Sequence, residues 1–381
     1  LASQKDISPH AGNEAQVNTK FNELSKAENE LDLISNPVSK PDSDRTRGVV
    51  ITLKKELASE APEFASLVSV TGTSASEIRD LLYEDEVLIE YYSSGNDWYV
   101  FVLTRNGITA KKLGHLDLDK DVRHFRTALT NPLSGDHVKY SRELYRKIIN
   151  PIAGQLKSKR LTIVPHGPMH YLPFAALSSA EGYLIDRTNI RILQAAGVLK
   201  FLKRRSLENN PSILIMGNPD LGDPKYDLKY AHDEAVAIAG IIPHATLLLR
   251  NEAKVSFINK RAGQFNIIHF AAHAVFDPDN PLNSALLLAG DNSSDGLLRA
   301  GDLYKLNLNA DLVTLSACET ALGKITKGDD VIGFTRGFLY AGAGTIVSTL
   351  WKVDDQATKD LMTDFYSKLQ TMEKGEALRQ A

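Results

Sequence analysis

Cysteine is nearly missing from this chain: Cys318 is the one thiol in 381 residues. A disulfide within the chain is therefore excluded, and that thiol is reduced, metal-bound or reactive. Burial as a small apolar side chain is the plainest role open to it. Long apolar runs are missing as well, with none near the roughly 20 residues a membrane helix needs. The opening LASQKDISPH has neither the basic start nor the apolar core of a secretory signal. A cytoplasmic protein without a membrane partner is expected. Neither sign of charge dominates, since 44 Lys and Arg face 47 Asp and Glu. That balance leaves no basic footprint for direct nucleic-acid binding. Phosphate-loop spacing is also lacking: MGNPDLGDP has no G-x-x-x-x-G-K-[ST] order, and LGKITKGDD reverses Lys and Gly.

What is present suits a folded α/β protein. Hydrophobic residues make up 43% and charged residues 24%, ordinary values for a globular chain, and the length accommodates about two domains. The sequence begins at Leu1 and stops at GEALRQA, in helical sequence, so a piece of something longer is expected. Residues 1–47 are polar, with one helix expected in NEAQVNTKFNELSKAENELDLI and linker chemistry in SNPVSKPDSDRTRG. A single helix is no repeat array.

Two mixed units are expected, over 48–205 and 206–381. In the first, EVLIEYY and WYVFVLT flank SSGND, a hairpin signal. Helices follow around 118–130 and 139–156, then RLTIV reads as a buried strand. A basic, polar join, KRRSLENNPS, separates the halves. In the second unit the apolar runs SILIM, ATLLL, NIIHFAA, DLVTLSA and GTIVSTLW alternate with helical segments. Continuous apolar strands alternating with helices predict a mostly parallel sheet covered on both faces. Ligands of such sheets bind outside the carboxyl ends of the strands. His273 and Cys318 each fall just past one such end.

Three readings compete for His269, His273 and Cys318. His269 lies mid-strand among Ile267, Ile268 and Phe270, where a hydrogen-bonded core histidine is expected. His273, beside small Ala271, Ala272 and Ala274, leaves room for a substrate backbone. Zinc is the second reading, but Phe270 stands where H-E-x-x-H needs its Glu, and no C-x-x-C supports it. The third is a Cys–His dyad, in which the imidazole lowers the thiol pKa and later protonates the leaving amine. The order His before Cys is the caspase-type order rather than the papain-type one.

At these residues the chain resembles a known family. IIHFAAHAVFDPDNPLNSALLL, GLLRAGDLYKLNLN, DLVTLSACETALG, GFTRGFLYAGAGTIVSTLWKVDDQAT and LMTDFYSKL look like successive blocks of a CHAT domain. LIEYY, RLTIVPHGPMHYLPFAAL and LKYAHDEAVAIAG extend the likeness over roughly 75–381. CHAT proteins are caspase-like, related to separase, and often coupled to tetratricopeptide repeats. The resemblance implies the caspase–hemoglobinase α/β fold, with a degenerate pseudo-protease half over 48–205 and a catalytic half over 206–381. It makes His273 the acid/base and Cys318 the nucleophile of a regulated cysteine endopeptidase that uses no cofactor. Backbone N–H groups of Ala274 and Cys318 are the expected oxyanion donors, Ala274 standing where the family usually has Gly. His166 and His170, in the degenerate copy of the histidine block, are expected to be structural.

The implied substrate is a partner protein, a gasdermin-like or operon-encoded effector, in bacterial defence or cell death. A tetratricopeptide-repeat or sensor module is the implied regulator, acting on the loop GKITKGDDVIG after the cysteine. For the residue before the cut, no acid precedes Cys318, only Ser316. LWKVDD is similar to the separase block W-D-V-T-D, so Asp354 and Asp355 are the candidate substrate-binding acids for an Arg or Lys side chain. Either Asp also suits the cap of the helix that follows. A catalytically silent scaffold of the same fold is the alternative function.

Overall fold

A computed structural model of the chain describes residues 73–200, Leu202, 211–275, Asp277, 280–319, 330–350 and 354–381, with isolated positions between 19 and 56. The expected N-terminal helix, its linker and the basic join lie largely outside the described residues. So do Trp351 and most of the glycine-punctuated loop after Cys318.

The first sheet begins with β1 (Glu86–Ser94) and β2 (Asp97–Thr104), joined by the anticipated hairpin. Gly95 supplies the positive φ, 60°, at that turn. A third antiparallel strand, β3 (Gly107–His115), was not anticipated, because its mostly exposed, lysine-bearing sequence carries little apolar signal. On the other side β1 pairs in parallel with β4 (Arg160–Val164), and β4 with β5 (Asn189–Ile192). Alternate residues of β1 enter different cores. Val87, Ile89 and Tyr91 meet Val122 and Phe125 of α2 (Leu118–Leu129), and Leu88 meets Ile78 of α1 (Ala75–Leu81). The helix α3 (Asp136–Leu144) continues as tighter and wider turns through Gln155.

The second sheet is built on parallel strands β6 (Ile213–Pro219), β7 (Thr246–Arg250), β8 (Ile267–Val275), β11 (Leu312–Glu319) and β12 (Ile346–Ser348). Two short strands, β9 (Ala285–Leu287) and β10 (Leu297–Arg299), are antiparallel additions beside β8. One face is covered by α4 (Lys229–Ile241) and α8 (Asp355–Lys368). The other carries α5 (Val255–Arg261), α6 (Ala300–Leu303) and α7 (Asp330–Tyr340). The result is a mixed α/β fold whose mostly parallel sheet is flanked by helices on both sides.

The last helix, α9 (Lys374–Gln380), ties this unit to the first sheet. Arg379 donates to Asn189 Oδ1 at 3.0 Å and to the Asp186 carbonyl at 3.2 Å. Just before α9, Glu373 pairs with Arg160 Nη2 at 2.8 Å, and Lys374 donates to the Asp311 carbonyl at 3.0 Å. His166, beyond the end of β4, packs against Tyr92 and Trp98, with ring centroids 5.5 and 5.9 Å away.

Candidate active site

The strands β8 and β11 run longer than the apolar pattern indicates. Each passes through the residue expected beyond its end, so His273 and Cys318 lie inside the ladder. The register is Ile267↔Leu312 through His273↔Cys318 to Ala274↔Glu319. Cα partners on parallel strands project to the same side, and the period of two then groups 269, 271 and 273 with 314 and 316. That side faces α4 and α8, where Ile267 and Leu312 join Ile238 and Phe365. The even residues of β8 and the odd ones of β11 pack on α5 to α7 instead.

The sheet divides beside His273. Up to Ala271, β8 is paired with β6, ending at Ala271↔Gly217; from His273 onward its neighbour on that edge is β9. β6 turns away at Asn218, whose φ of 43° is left-handed. The loop that follows returns its Tyr226 carbonyl to His273 Nε2, at 2.9 Å. A carbonyl only accepts, so Nε2 carries the hydrogen and, in the neutral ring, Nδ1 keeps its lone pair. Nδ1 is buried and has no hydrogen-bond partner among the described residues. The Tyr226 ring also stands edge-on to the imidazole, 6.0 Å between centroids at 80°.

Several contacts hold that loop. Asn218 Oδ1 accepts from Leu228 N at 2.9 Å, and Asp223 Oδ1 accepts from Lys225 N at 3.0 Å. Arg250, itself left-handed at φ 49°, forms an ion pair with Asp227 and reaches Asp220 at 3.4 Å.

His269 is fully buried one turn of the pleat below. Its Nδ1 lies 3.2 Å from the Tyr366 hydroxyl, which is also 2.9 Å from Thr314 Oγ1. Burial holds that phenol above its ordinary pKa, so it remains a protonated donor. His269 Nε2 lies 2.9 Å from Glu234 Oε1 on α4. Neither atom gains a straight hydrogen bond from this approach, which is off the line such a bond needs. Among the described residues no group of three or more His, Cys, Asp or Glu is arranged to hold a metal ion.

Between α4 and α8, at the carboxyl end of β11, lies a small open cavity. Ser316 and Ala317, the two residues before Cys318, form one wall; Glu234, Thr349, Asp355 and Thr358 line others. Thr349 Oγ1 donates to the Ala317 carbonyl at 3.1 Å, pinning the chain after β12 to the backbone before the thiol. The two candidate acids separate here. Asp354 caps α8, its Oδ1 accepting from Ala357 N at 2.9 Å. Asp355 lines the cavity. Ala274 is buried within β8 and has no positive φ.

Residues 138–381 match the family described as the CHAT domain. This chain belongs to the CHAT domain family. CHAT domains are part of the caspase-like peptidase clan. The chain is also similar to tetratricopeptide repeat protein 28 of Homo sapiens and of Mus musculus, at 27% identity in each case. Each alignment covers 60% of this chain but 11% and 12% of the relatives, so the chain spans about a tenth of their length. Among the described residues of this CHAT protein, no helix is long and apolar enough to cross a membrane.

Three residues around the candidate site are absent from the sequence reading. Tyr226 contributes its carbonyl, which every residue type has. Asn218 contributes a turn and an acceptor at a position that reads as loop. Glu234 was legible in principle: it shares a helical stripe with Ala231, Ala235 and Ile238, and an acid in an apolar stripe calls for a partner.

Proposed function

We propose that this chain is a cysteine endopeptidase that cuts a partner protein after a basic residue. The observation carrying this reading is the cross-strand register of His273 and Cys318, with His273 Nε2 engaged by Tyr226 and Nδ1 without a hydrogen-bond partner among the described residues. Nδ1 accepts the Cys318 thiol proton, and the thiolate sulfur attacks the scissile carbonyl carbon. Backbone N–H groups of Ala274 and Cys318 hold the resulting oxyanion. Ala serves at position 274 because the backbone there needs no left-handed φ. The C–N bond breaks as Nδ1–H protonates the departing amine. Water, deprotonated by Nδ1, then attacks the thioester; the C–S bond breaks and the proton returns to sulfur.

Asp355, on the wall of the cavity next to Ser316, supports a basic side chain before the cut, while Asp354 is spent on the helix cap. The relatives are named for tetratricopeptide repeats. That favours a helical-repeat module as the element that delivers substrate or signals to the site. A gasdermin-like or operon-encoded effector, cut during bacterial defence or cell death, is the proposed class of substrate.

The test is a peptide-library cleavage profile of the full chain beside Cys318→Ala and His273→Ala, with iodoacetamide labelling of Cys318. Expected are cuts after Arg or Lys in the wild type, none in either variant, and labelling that abolishes cutting while a chelator does not. Failure to cut any peptide or partner, with partner binding intact in Cys318→Ala, would overturn the peptidase and leave a scaffold.

A further inference from the structure

The buried Glu234 has no place in the dyad chemistry, and its surroundings are unusual for a core carboxyl. Its side chain is 3% exposed, and it lines the cavity beside Ser316 and Asp355. A carboxylate can accept about four hydrogen bonds, and a buried one without them is costly. Its Oε1 approaches His269 Nε2 at 2.9 Å but off-line, and gains no hydrogen bond among the described residues. The remaining acceptor capacity is directed at the cavity by elimination. The His269 ring is held from behind by Tyr366, so it cannot swing to complete the bond.

We infer that Glu234 is a second, deeper specificity acid, which makes the pocket one for arginine rather than lysine. The inference rests on the reading of the chain as a peptidase with a basic residue before the cut. A guanidinium is planar, with five N–H donors in a fork, and can engage two carboxyl groups at once. An ammonium is a compact, strongly hydrated charge with three donors, and engages the less buried Asp355 alone. Ser316, Thr349 and Thr358 hydroxyls line the same space and take the remaining N–H groups. Asp355 therefore sets the preference for positive charge, and Glu234 the preference for the longer, forked group.

Two measurements test this. The first needs no catalysis: Cys318→Ala chain is titrated with hexapeptides identical except for Arg, Lys or citrulline at the residue before the cut. Citrulline matches arginine in shape without the charge. Arg is expected to bind at least tenfold tighter than Lys, and Lys tighter than citrulline. The second compares cleavage of the Arg and Lys peptides by Glu234→Gln and Asp355→Asn. Glu234→Gln is expected to bring the Arg-to-Lys ratio of kcat/KM down about ten- to hundredfold, as befits a lost charge-assisted bond. Asp355→Asn lowers both peptides together. Melting temperature and the Cys318 alkylation rate report whether Glu234→Gln keeps the fold; if it does not, the wild-type binding order decides. Equal binding of Arg and citrulline peptides, or an unchanged Arg-to-Lys ratio in folded Glu234→Gln, overturns the inference. Cleavage after neutral residues overturns the pocket but leaves the peptidase. Glu234-dependent binding of the Arg peptide with no cleavage by the wild type overturns the peptidase but leaves the pocket.

Discussion

Asn218 bonds to Leu228 rather than to His273, yet its replacement should change the reactivity of the thiol. Its side chain does two things for the loop that brings the Tyr226 carbonyl to His273. Asn tolerates the left-handed φ of 43°, and its Oδ1 accepts from Leu228 N, two residues beyond Tyr226. Substitutions separate the two. Asn218→Asp keeps both functions. Asn218→Gly keeps the φ and loses the acceptor, leaving one amide unpaired at a cost of about 1 kcal/mol. Asn218→Ala loses both, adding about 1–2 kcal/mol for a left-handed alanine. The loop relieves that strain by moving, and the Tyr226 carbonyl moves with it. The loss at the imidazole is bounded by one neutral hydrogen bond, about 1 kcal/mol, or roughly five- to tenfold in rate.

The assay is the second-order rate of Cys318 alkylation by iodoacetamide from pH 5 to 9, which follows the thiolate without a substrate. Asn218→Asp should stay near wild type, Asn218→Gly should fall severalfold, and Asn218→Ala should fall by about tenfold with its pH midpoint moved upward. Wild-type rates and midpoints in both Asn218→Gly and Asn218→Ala would mean that the carbonyl does not set the imidazole tautomer.

Two further outcomes follow from packing and charge. A Cβ at Gly217 would lie 2.4 Å from Ala235 Cβ and 3.2 Å from the Ala231 carbonyl, where β6 crosses α4. Gly217→Ala should therefore cost about 1–3 kcal/mol and lower the melting temperature by several degrees. Gly240→Ala on the same helix meets nothing within 4 Å and should raise stability slightly, by up to about 1 kcal/mol; a loss there would contradict the reasoning. The bond from Arg379 holds Glu376 at a pKa of about 2, down from 4.5. A depressed carboxyl stabilises above its unfolded value and loses that contribution as pH falls. Hydrogen exchange in α9 should thus quicken between about pH 4.5 and 2 in the wild type, and show no such step in Glu376→Gln.

The second sheet was legible because its strands are apolar on both faces and its helices carry their own periodicity. A cap at Asp354 or Asp355 was legible because Asp favours the start of a helical run, but which of the two serves was not. Strand ends were not, since Ala271 to Val275 is too small and mixed to signal strand or loop. β9 and β10 are three residues each, shorter than any period can report. At the site, side-chain chemistry marked His273 and Cys318. The Tyr226 carbonyl and the left-handed turn at Asn218 could not be marked, because they are properties of backbone placed by other elements. Glu234 fell between the two: its type was visible, but a helical stripe does not say whether the acid meets a histidine, a solvent channel or a ligand.

The parity of two strands connects these features. Because β8 and β11 pair His273 with Cys318, every second residue back from them faces α4 and α8: His269 and Thr314 in the buried network, Ser316 on the cavity wall. A register slip of one residue would turn Ala272 or Ala317 toward that side and put the imidazole or the thiol among Phe334 and Phe338. The same core that forbids the slip, with Phe270 and Leu315 locked on α7 and Ile267 and Leu312 on α8, therefore sets the alignment of His273 with Cys318. His273, Cys318 and the buried His269 are not three independent placements but one register, and the apolar side chains on both faces supply the free energy that holds it.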